Sequence, residues 1–268
     1  MCKLLKVSRS GYYAFLNRPK SKLTIENEVL SEYIKLIFTQ HHSRYGCRRI
    51  KNVLFTSYNL IVSRKRITRL MRIMGLYAKG TTYKHKYKKN KNNLATSNLV
   101  DQVFTSERKN AIWFGDITYI TTAEGNLYLS IFIDLFTRKI VGYSIKDHMR
   151  TSLVIDTINM AISNENPEPG LIVHTDQGSQ YLSHDFLSLL NNNRFIPSNS
   201  NKGNPYDNAV VESFFKTFKR EVLPKRYYKT KSEAILEVIN YVEVYYNKKR
   251  CHSSLGYMTP NEFELANS

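Results

Sequence analysis

Between Tyr33 and Val100 the chain has no aspartate or glutamate at all, while sixteen lysines and arginines lie there. That stretch carries most of the formal charge of +18 and leaves the remainder close to balance. So concentrated a field suits a surface that neutralises nucleic-acid phosphates and releases their counterions, with acidic lipid as the other candidate partner. Long apolar runs are also missing, and no amphipathic anchor or lipidation motif stands in for one, which argues against a membrane. The start, Met1-Cys-Lys-Leu-Leu-Lys, lacks the apolar core and small-residue cleavage site of a secretory signal. Cysteine is scarce: Cys2, Cys47 and Cys251 are isolated and odd in number, so neither a disulfide framework nor a zinc knuckle is implied. A reducing cytoplasm is the expected location.

At 268 residues and 42% hydrophobic content, there is room for one good core and a smaller accessory domain. Leu5–Leu16 reads as a short helix capped by Ser8 and closed by Pro19. Three further helical patterns, Thr24–Thr39, Tyr45–Ser57 and Ser63–Met74, make a small α domain. Behind Ser63, a good N-cap, Ile67, Leu70, Met71 and Met74 follow helical spacing and leave Arg64, Lys65, Arg66, Arg69 and Arg72 on the outside. Such a helix either enters a DNA groove or presents a basic face to solvent, and the local absence of acids favours DNA. Residues 79–93 have no hydrophobic periodicity and six lysines, so they read as an extended linker along DNA, with Lys84, Lys86, Lys88 and Lys89 as phosphate contacts. Tyr83 and Tyr87 either stack on bases or lie on the surface. The expected division is 1–22, a partial helical remnant; 23–78, a basic helical DNA-binding domain; 79–100, a basic linker; and 101–268, a catalytic domain with a C-terminal helical extension.

From residue 111 the pattern changes to strands over 111–121, 126–134 and 139–146, then helix 151–164, strand 171–176, helix 183–193, strand 195–200 and helix 207–222. Three short strands joined by tight loops suggest an antiparallel meander, and the later β–α–β alternation suggests parallel additions to the same sheet. A further helix over 231–248 carries Ile235, Val238, Ile239, Val242 and Tyr246 on one side.

Three acids stand within local motifs: Asp116 in Trp113-Phe-Gly-Asp-Ile-Thr118, Asp176 in His174-Thr-Asp-Gln-Gly-Ser179, and Glu212 in Asn208-Ala-Val-Val-Glu-Ser-Phe214. Two sit at the edge of buried strands. The third is on a helix, capped near Asp207, whose apolar stripe is Val211, Phe214, Phe215, Phe218 and Val222. At roughly 100° per residue, Glu212, Lys216 and Lys219 gather on a neighbouring face. Two unit charges about 4 Å apart at an effective dielectric near 20 repel by roughly 4 kcal/mol, so three converging carboxylates are tolerable mainly around divalent cations. Hard oxygen ligands select magnesium or manganese, and a pair of such ions can activate an attacking oxygen and stabilise a leaving oxygen at phosphorus. Lys219, two turns beyond Glu212, either holds a DNA phosphate or is a solvated lysine. Asp134 suits a turn or support role. His174 either orients the site or is a satisfied structural histidine, and His252 has no assignment.

Those residues carry a resemblance. Trp-x-x-Asp-Ile-Thr-Tyr, His-Thr-Asp-Gln-Gly-Ser-Gln-Tyr, Gly203-Asn-Pro-Tyr-Asp-Asn-Ala-x-x-Glu-Ser-Phe-Phe and a lysine seven residues after the glutamate resemble the catalytic core of bacterial insertion-sequence DDE transposases, within the retroviral-integrase superfamily. The nearest group is the insertion-sequence-three family, second reading frame product. Tyr246-Asn-Lys-Lys-Arg-Cys-His-Ser-Ser-Leu-Gly with Thr259-Pro260, and Arg44-Tyr-Gly-Cys-Arg-Arg-Ile upstream, extend the likeness over nearly the whole chain.

The resemblance implies an α/β fold: an RNase H-like integrase core, a mixed five-stranded sheet with flanking helices, behind a small helix-turn-helix-like domain. Residues 5–16 are similar to the last helix of a helix-turn-helix without its predecessors, as expected if an upstream frame supplies the rest; a frayed terminal helix is the alternative. It further implies Asp116, Asp176 and Glu212 as catalytic ligands of two magnesium ions, with manganese as a substitute, and Lys219 as a DNA contact. The implied partners are double-stranded DNA as terminal inverted repeats and target, the upstream frame's product through a frameshift fusion, and further copies of the chain on paired ends. Two rivals remain open: a DNA-binding regulator with a silent core, and a nuclease that cuts without joining.

Overall fold

The computed structural model describes residues 2, 4–79, 106–200, 208–223 and 227–267. The linker residues Lys84, Lys86, Lys88, Lys89, Tyr83 and Tyr87, the Gly203–Tyr206 motif and Asp207 lie outside the described residues. The chain divides into two compact units, Met1–Thr81 and Thr82–Ser268.

The first unit is helical: α1 (Arg9–Leu16), α2 (Lys22–Gln40), α3 (Cys47–Tyr58) and α4 (Arg64–Ile73). Ser8, Ser21 and Ser63 each cap a helix by accepting a backbone N–H three residues on, which satisfies a donor the first turn would otherwise leave unpaired. Its core is Leu30, Ile34, Ile37 and Phe38 of α2 against Ile50 and Leu54 of α3 and Ile67, Leu70 and Met71 of α4. The sequence spacing anticipated that α4 stripe; Met74 alone is only half-buried.

The second unit is built on one sheet of β1 (Ile112–Thr122), β2 (Gly125–Asp134), β3 (Ile140–Lys146), β4 (Ile172–Thr175) and β5 (Ile196–Asn199), in the order β3-β2-β1-β4-β5. The β1-β2 and β2-β3 pairs are antiparallel, and β1-β4 and β4-β5 are parallel. This is the expected meander with parallel additions. Between the strands run α5 (Thr151–Glu165) and α6 (His184–Asn192), followed by α7 (Ala209–Glu221), α8 (Lys231–Ile239) and α9 (Pro260–Ala266). Trp113, Phe132 and Val141 from the sheet meet Val154, Ile158 and Ala161 of α5 and Phe186 and Leu190 of α6 in one core, each large side chain contributing roughly 1.5–3 kcal/mol by leaving water. Gly115 of β1 lies so close under the Phe132 ring that a Cβ there would enter it. α7 and α8 contact β1, burying Val211, Phe214, Phe215 and Phe218 as the helical stripe requires.

Two expectations need correction. α7 begins at Ala209 with Asn208 at its N-cap position, and the Asn208 side chain bonds across to β1 instead of capping its own helix. The helix expected over 231–248 changes at Asn240 into a π-helical stretch, Asn240–Tyr246. Tyr241, Val242, Tyr245 and Tyr246 of this stretch are all buried.

Candidate active site

Parallel pairing of β1 with β4 ends where Phe114 faces His174. Asp116 and Asp176 each lie two residues farther on, Asp116 still within β1 and Asp176 one residue past the end of β4, close enough for the charge of Asp176 to act on Asp116. Past that point the β4-side edge of β1 is open to the helix that follows β5. The first anchor of α7 is there: Asn208 Nδ2 donates to the Gly115 carbonyl at 3.3 Å, one residue before Asp116. Glu212 stands in the first turn of α7, where the helix dipole favours a negative charge.

Backbone bonds hold both aspartates. Asp116 Oδ1 accepts from the Ile117 N–H at 2.7 Å, and Asp176 Oδ1 accepts from the Gly178 N–H at 2.9 Å. Gly178 approaches so closely that a Cβ there would sit 2.9 Å from the Asp176 carboxylate and 3.2 Å from Gln180. The end of β5 grips the same turn: Asn199 Nδ2 donates to Thr175 Oγ1 and to the Asp176 carbonyl, both at 3.1 Å, and Gln177 Nε2 donates to the Ser200 carbonyl at 3.1 Å.

Asp116 is half-buried, and its carboxyl is pushed up from 3.8 to about 7. Burial is the largest cause; the charges of Asp176 and Glu212 add to it, while the Ile117 N–H and Lys219 act against it. Glu212 is also raised, by burial, with Lys216 opposing. The three acids and Lys219 therefore share one electrostatic neighbourhood. They do not close on a common point: among the described residues, no group of three or more His, Cys, Asp or Glu side chains is spaced to hold a metal ion. Bare carboxylates repel one another, and a hard divalent cation is the partner that would relieve the elevated Asp116. The donor set, three carboxylates with lysines behind them, fits such an ion chemically.

Lys219 is exposed, with Nζ 5.2 Å from the centroid of the Tyr119 ring on β1. Tyr119 is 58% exposed in mid-strand, a position the sequence motif contained without giving it a role. His174 is the satisfied structural histidine of the two alternatives: fully buried, with Nδ1 2.9 Å from Ser198 Oγ and Nε2 3.1 Å from Ser200 Oγ, it ties β4 to β5. Asp134 organises its turn, Oδ1 accepting from the Thr137 N–H and hydroxyl at 2.7 and 2.8 Å and Oδ2 from the Asn110 N–H at 2.8 Å.

On α4, Arg64, Lys65, Arg69 and Arg72 are exposed. Arg66 differs: Nε donates to Asn27 at 2.8 Å and Nη2 to Glu26 at 3.1 Å, tying α4 to α2. Its acid partner lies outside the acid-free stretch, which is why the local charge pattern hid the bond. No helix among the described residues is long and apolar enough to cross a membrane.

Comparison with known proteins bears on both units. A family model described as an integrase core domain matches residues 106–205, a second of the same description matches 193–260, and an HTH-like domain matches 24–86. Among solved structures, the HTLV-2 integrase catalytic core domain in complex with magnesium (trimeric form) is 19% identical, with a TM-score of 0.47 over 60% of this chain and 99% of that one. The transposase InsF for insertion sequence IS3A of Escherichia coli (strain K12) is 34% identical over 271 residues, covering 100% of this chain and 93% of the relative. The transposase for insertion sequence element IS904 of Lactococcus lactis subsp. lactis (strain IL1403) is 48% identical over 254 residues, 94% of this chain and 100% of the relative. Identity sustained at that level along both sequences means that the chain belongs to the insertion-sequence transposases, enzymes of the DDE transposase and integrase type.

Proposed function

We propose that Asp116, Asp176 and Glu212 are the catalytic carboxylates of this transposase, that together they hold two magnesium ions, with manganese as a substitute, and that the enzyme cuts and joins DNA at the ends of its element. The observation that carries the reading is the matched position of Asp116 and Asp176 past the last pair of adjacent parallel strands, beside the first turn of the helix bearing Glu212. Bound there, the ions would supply charge for activating the attacking oxygen and stabilising the leaving oxygen of an in-line displacement.

The protein's own part is to hold and orient. The Ile117 and Gly178 N–H groups fix one oxygen of each aspartate and leave the other oxygens free to ligate. Partial burial removes competing water from Asp116, and the cation over Tyr119, Lys219, presents a positive group to a DNA phosphate beside the carboxylates. Water is the first nucleophile and a DNA 3′-hydroxyl the second, so no side chain needs to form a covalent intermediate. Arg64, Lys65, Arg69 and Arg72 on α4, with Lys84, Lys86, Lys88 and Lys89 of the linker, hold the terminal repeat; Arg66 serves α4 through its bonds to α2. The unit at 23–78, the linker at 79–100 and the catalytic unit at 101–268 divide binding from chemistry. Association of copies on paired ends, fusion with the upstream frame's product and residence on the nucleoid belong to the same reading.

The test is Asp116→Asn, Asp176→Asn and Glu212→Gln, each assayed for cleavage and gel retardation on one end substrate. Each should lose cleavage and retain binding. A variant that cuts like the parent removes its residue from the metal site.

A further inference from the structure

The C-terminal motif from Tyr246 to Gly256 has no part in the site so far, yet its most buried charge is bonded to the helix that carries Glu212. Arg250 donates from Nη2 to Glu221 Oε1 at 2.9 Å and from Nε to Glu221 Oε2 at 3.1 Å, and both side chains are only 7% exposed. Tyr241 Oη donates to Glu221 Oε2 at 3.0 Å, and Arg250 Nη1 is 3.2 Å from His252 Nε2. Burial opposes the charge on Arg250, and Glu221 more than offsets it, so the guanidinium stays protonated. Two aromatic contacts flank the pair: Phe218 meets Tyr241 edge-on at 5.5 Å, and Phe214 meets Tyr246 edge-on at 5.0 Å.

Glu221 is the last residue of α7 and follows Glu212 by nine positions. At about 100° and 1.5 Å per residue the two carboxylates lie on opposite sides of the helix, about 13 Å apart along its axis. Lys219, seven positions after Glu212, returns to nearly the same side as Glu212. A grip on Glu221 at the back therefore sets the rotation of the two functional residues at the front. Apolar burial alone does not set it, because that attraction is non-directional; a bidentate arginine fork does. A rotation of about 20° at a side-chain radius of 5–6 Å shifts a carboxylate by about 2 Å, and a misplacement of about 1 Å can cost two orders of magnitude in rate.

We propose that Arg250, Glu221 and Tyr241 form a buried clamp that fixes the axial rotation of α7 and thereby positions Glu212 and Lys219 for the reaction. The clamp rests on the assignment of Glu212 made above. Its residues are positioning residues and touch neither DNA nor metal.

A buried ion pair is often replaceable by apolar side chains without loss of stability, which separates positioning from support of the fold. The first variant replaces the whole clamp, Glu221→Leu with Tyr241→Phe and Arg250→Met; the second, Arg250→Lys, keeps the charge and loses the fork. Melting temperature, DNA affinity, cleavage rate against magnesium concentration, and amide exchange along α7 are measured beside Glu212→Gln. The apolar variant should melt near the parent and bind DNA equally, yet cut at least about tenfold more slowly, with a raised magnesium requirement and faster exchange in α7. Arg250→Lys should show the same defect in milder form. If the folded apolar variant cuts at the parental rate, or if it fails to fold and Arg250→Lys cuts at that rate, the clamp is overturned. Parental cleavage by Glu212→Gln would overturn the assignment of Glu212 instead.

Discussion

Asp116 concentrates the tension of this site in one side chain. Its folded value of about 7 lies above the 3.8 of the free group, so the fold favours the protonated form. The stabilisation from that preference is full below pH 3.8 and is lost as pH rises through 7. Metal-free protein should therefore lose stability across that window, and Asp116→Asn, which cannot ionise, should lack the corresponding loss. Thermal melts at pH 4 and pH 8 in chelator test this: the variant should gain about 3 °C or more on the parent at pH 8 relative to pH 4, at roughly 2–4 °C per kcal/mol for a domain of this size. Equal pH slopes would mean that the carboxyl ionises freely. Asp116, Asp176 and Glu212 could be singled out as candidates in the sequence because each sits in a dense local motif. Arg66 shows what such a reading leaves out: its partners, Glu26 and Asn27, lie about forty residues away on another helix, and a charge count does not record pairing.

At the scale of the element, α7 is the part in which pattern and geometry agree most closely. The spacing of Val211, Phe214, Phe215 and Phe218 fixed its buried side, and the neighbouring face with Glu212 and Lys219 followed from helical periodicity. Its start did not follow, because Asn208 spends its side chain on the Gly115 carbonyl of another element. The π-helical turn was equally hidden, since the apolar spacing of 231–248 suits an α-helix. The position of Lys219 makes a prediction about this helix. Lys219→Ala should slow joining by about tenfold or more, as loss of a charge-assisted hydrogen bond of roughly 1.5–3 kcal/mol implies, while Lys219→Arg retains more. Joining kinetics at several magnesium concentrations decide the matter. An unchanged rate makes Lys219 a solvated residue, and a large rise in magnesium requirement makes it part of the metal site.

For the whole molecule, most of the charge lies in the acid-free stretch 33–100, which runs from the first compact unit past its boundary at Thr81 into the linker. The antiparallel meander with parallel additions and the helical character of the first unit could be anticipated from local period, because β–α–β alternation and three-four spacing admit few arrangements. The pairing that joins Asp116 to Asp176 needed the structure, since two strands some sixty residues apart become neighbours only through the crossover. The charge distribution also predicts a division of labour. Four exposed basic residues on α4, with the linker lysines, are enough to neutralise six or more phosphates, and binding through that many contacts loses about a thousandfold in affinity between 50 and 200 mM salt. Residues 1–100 alone should show that loss on duplex DNA. Residues 101–268, nearly balanced in charge, should bind weakly and with a shallow salt slope, because what they offer DNA is a few positioned groups around the carboxylates instead of a broad field. Fluorescence anisotropy of both pieces across that salt range measures the two slopes, and equal slopes would mean that the acid-free stretch is not where the DNA is held.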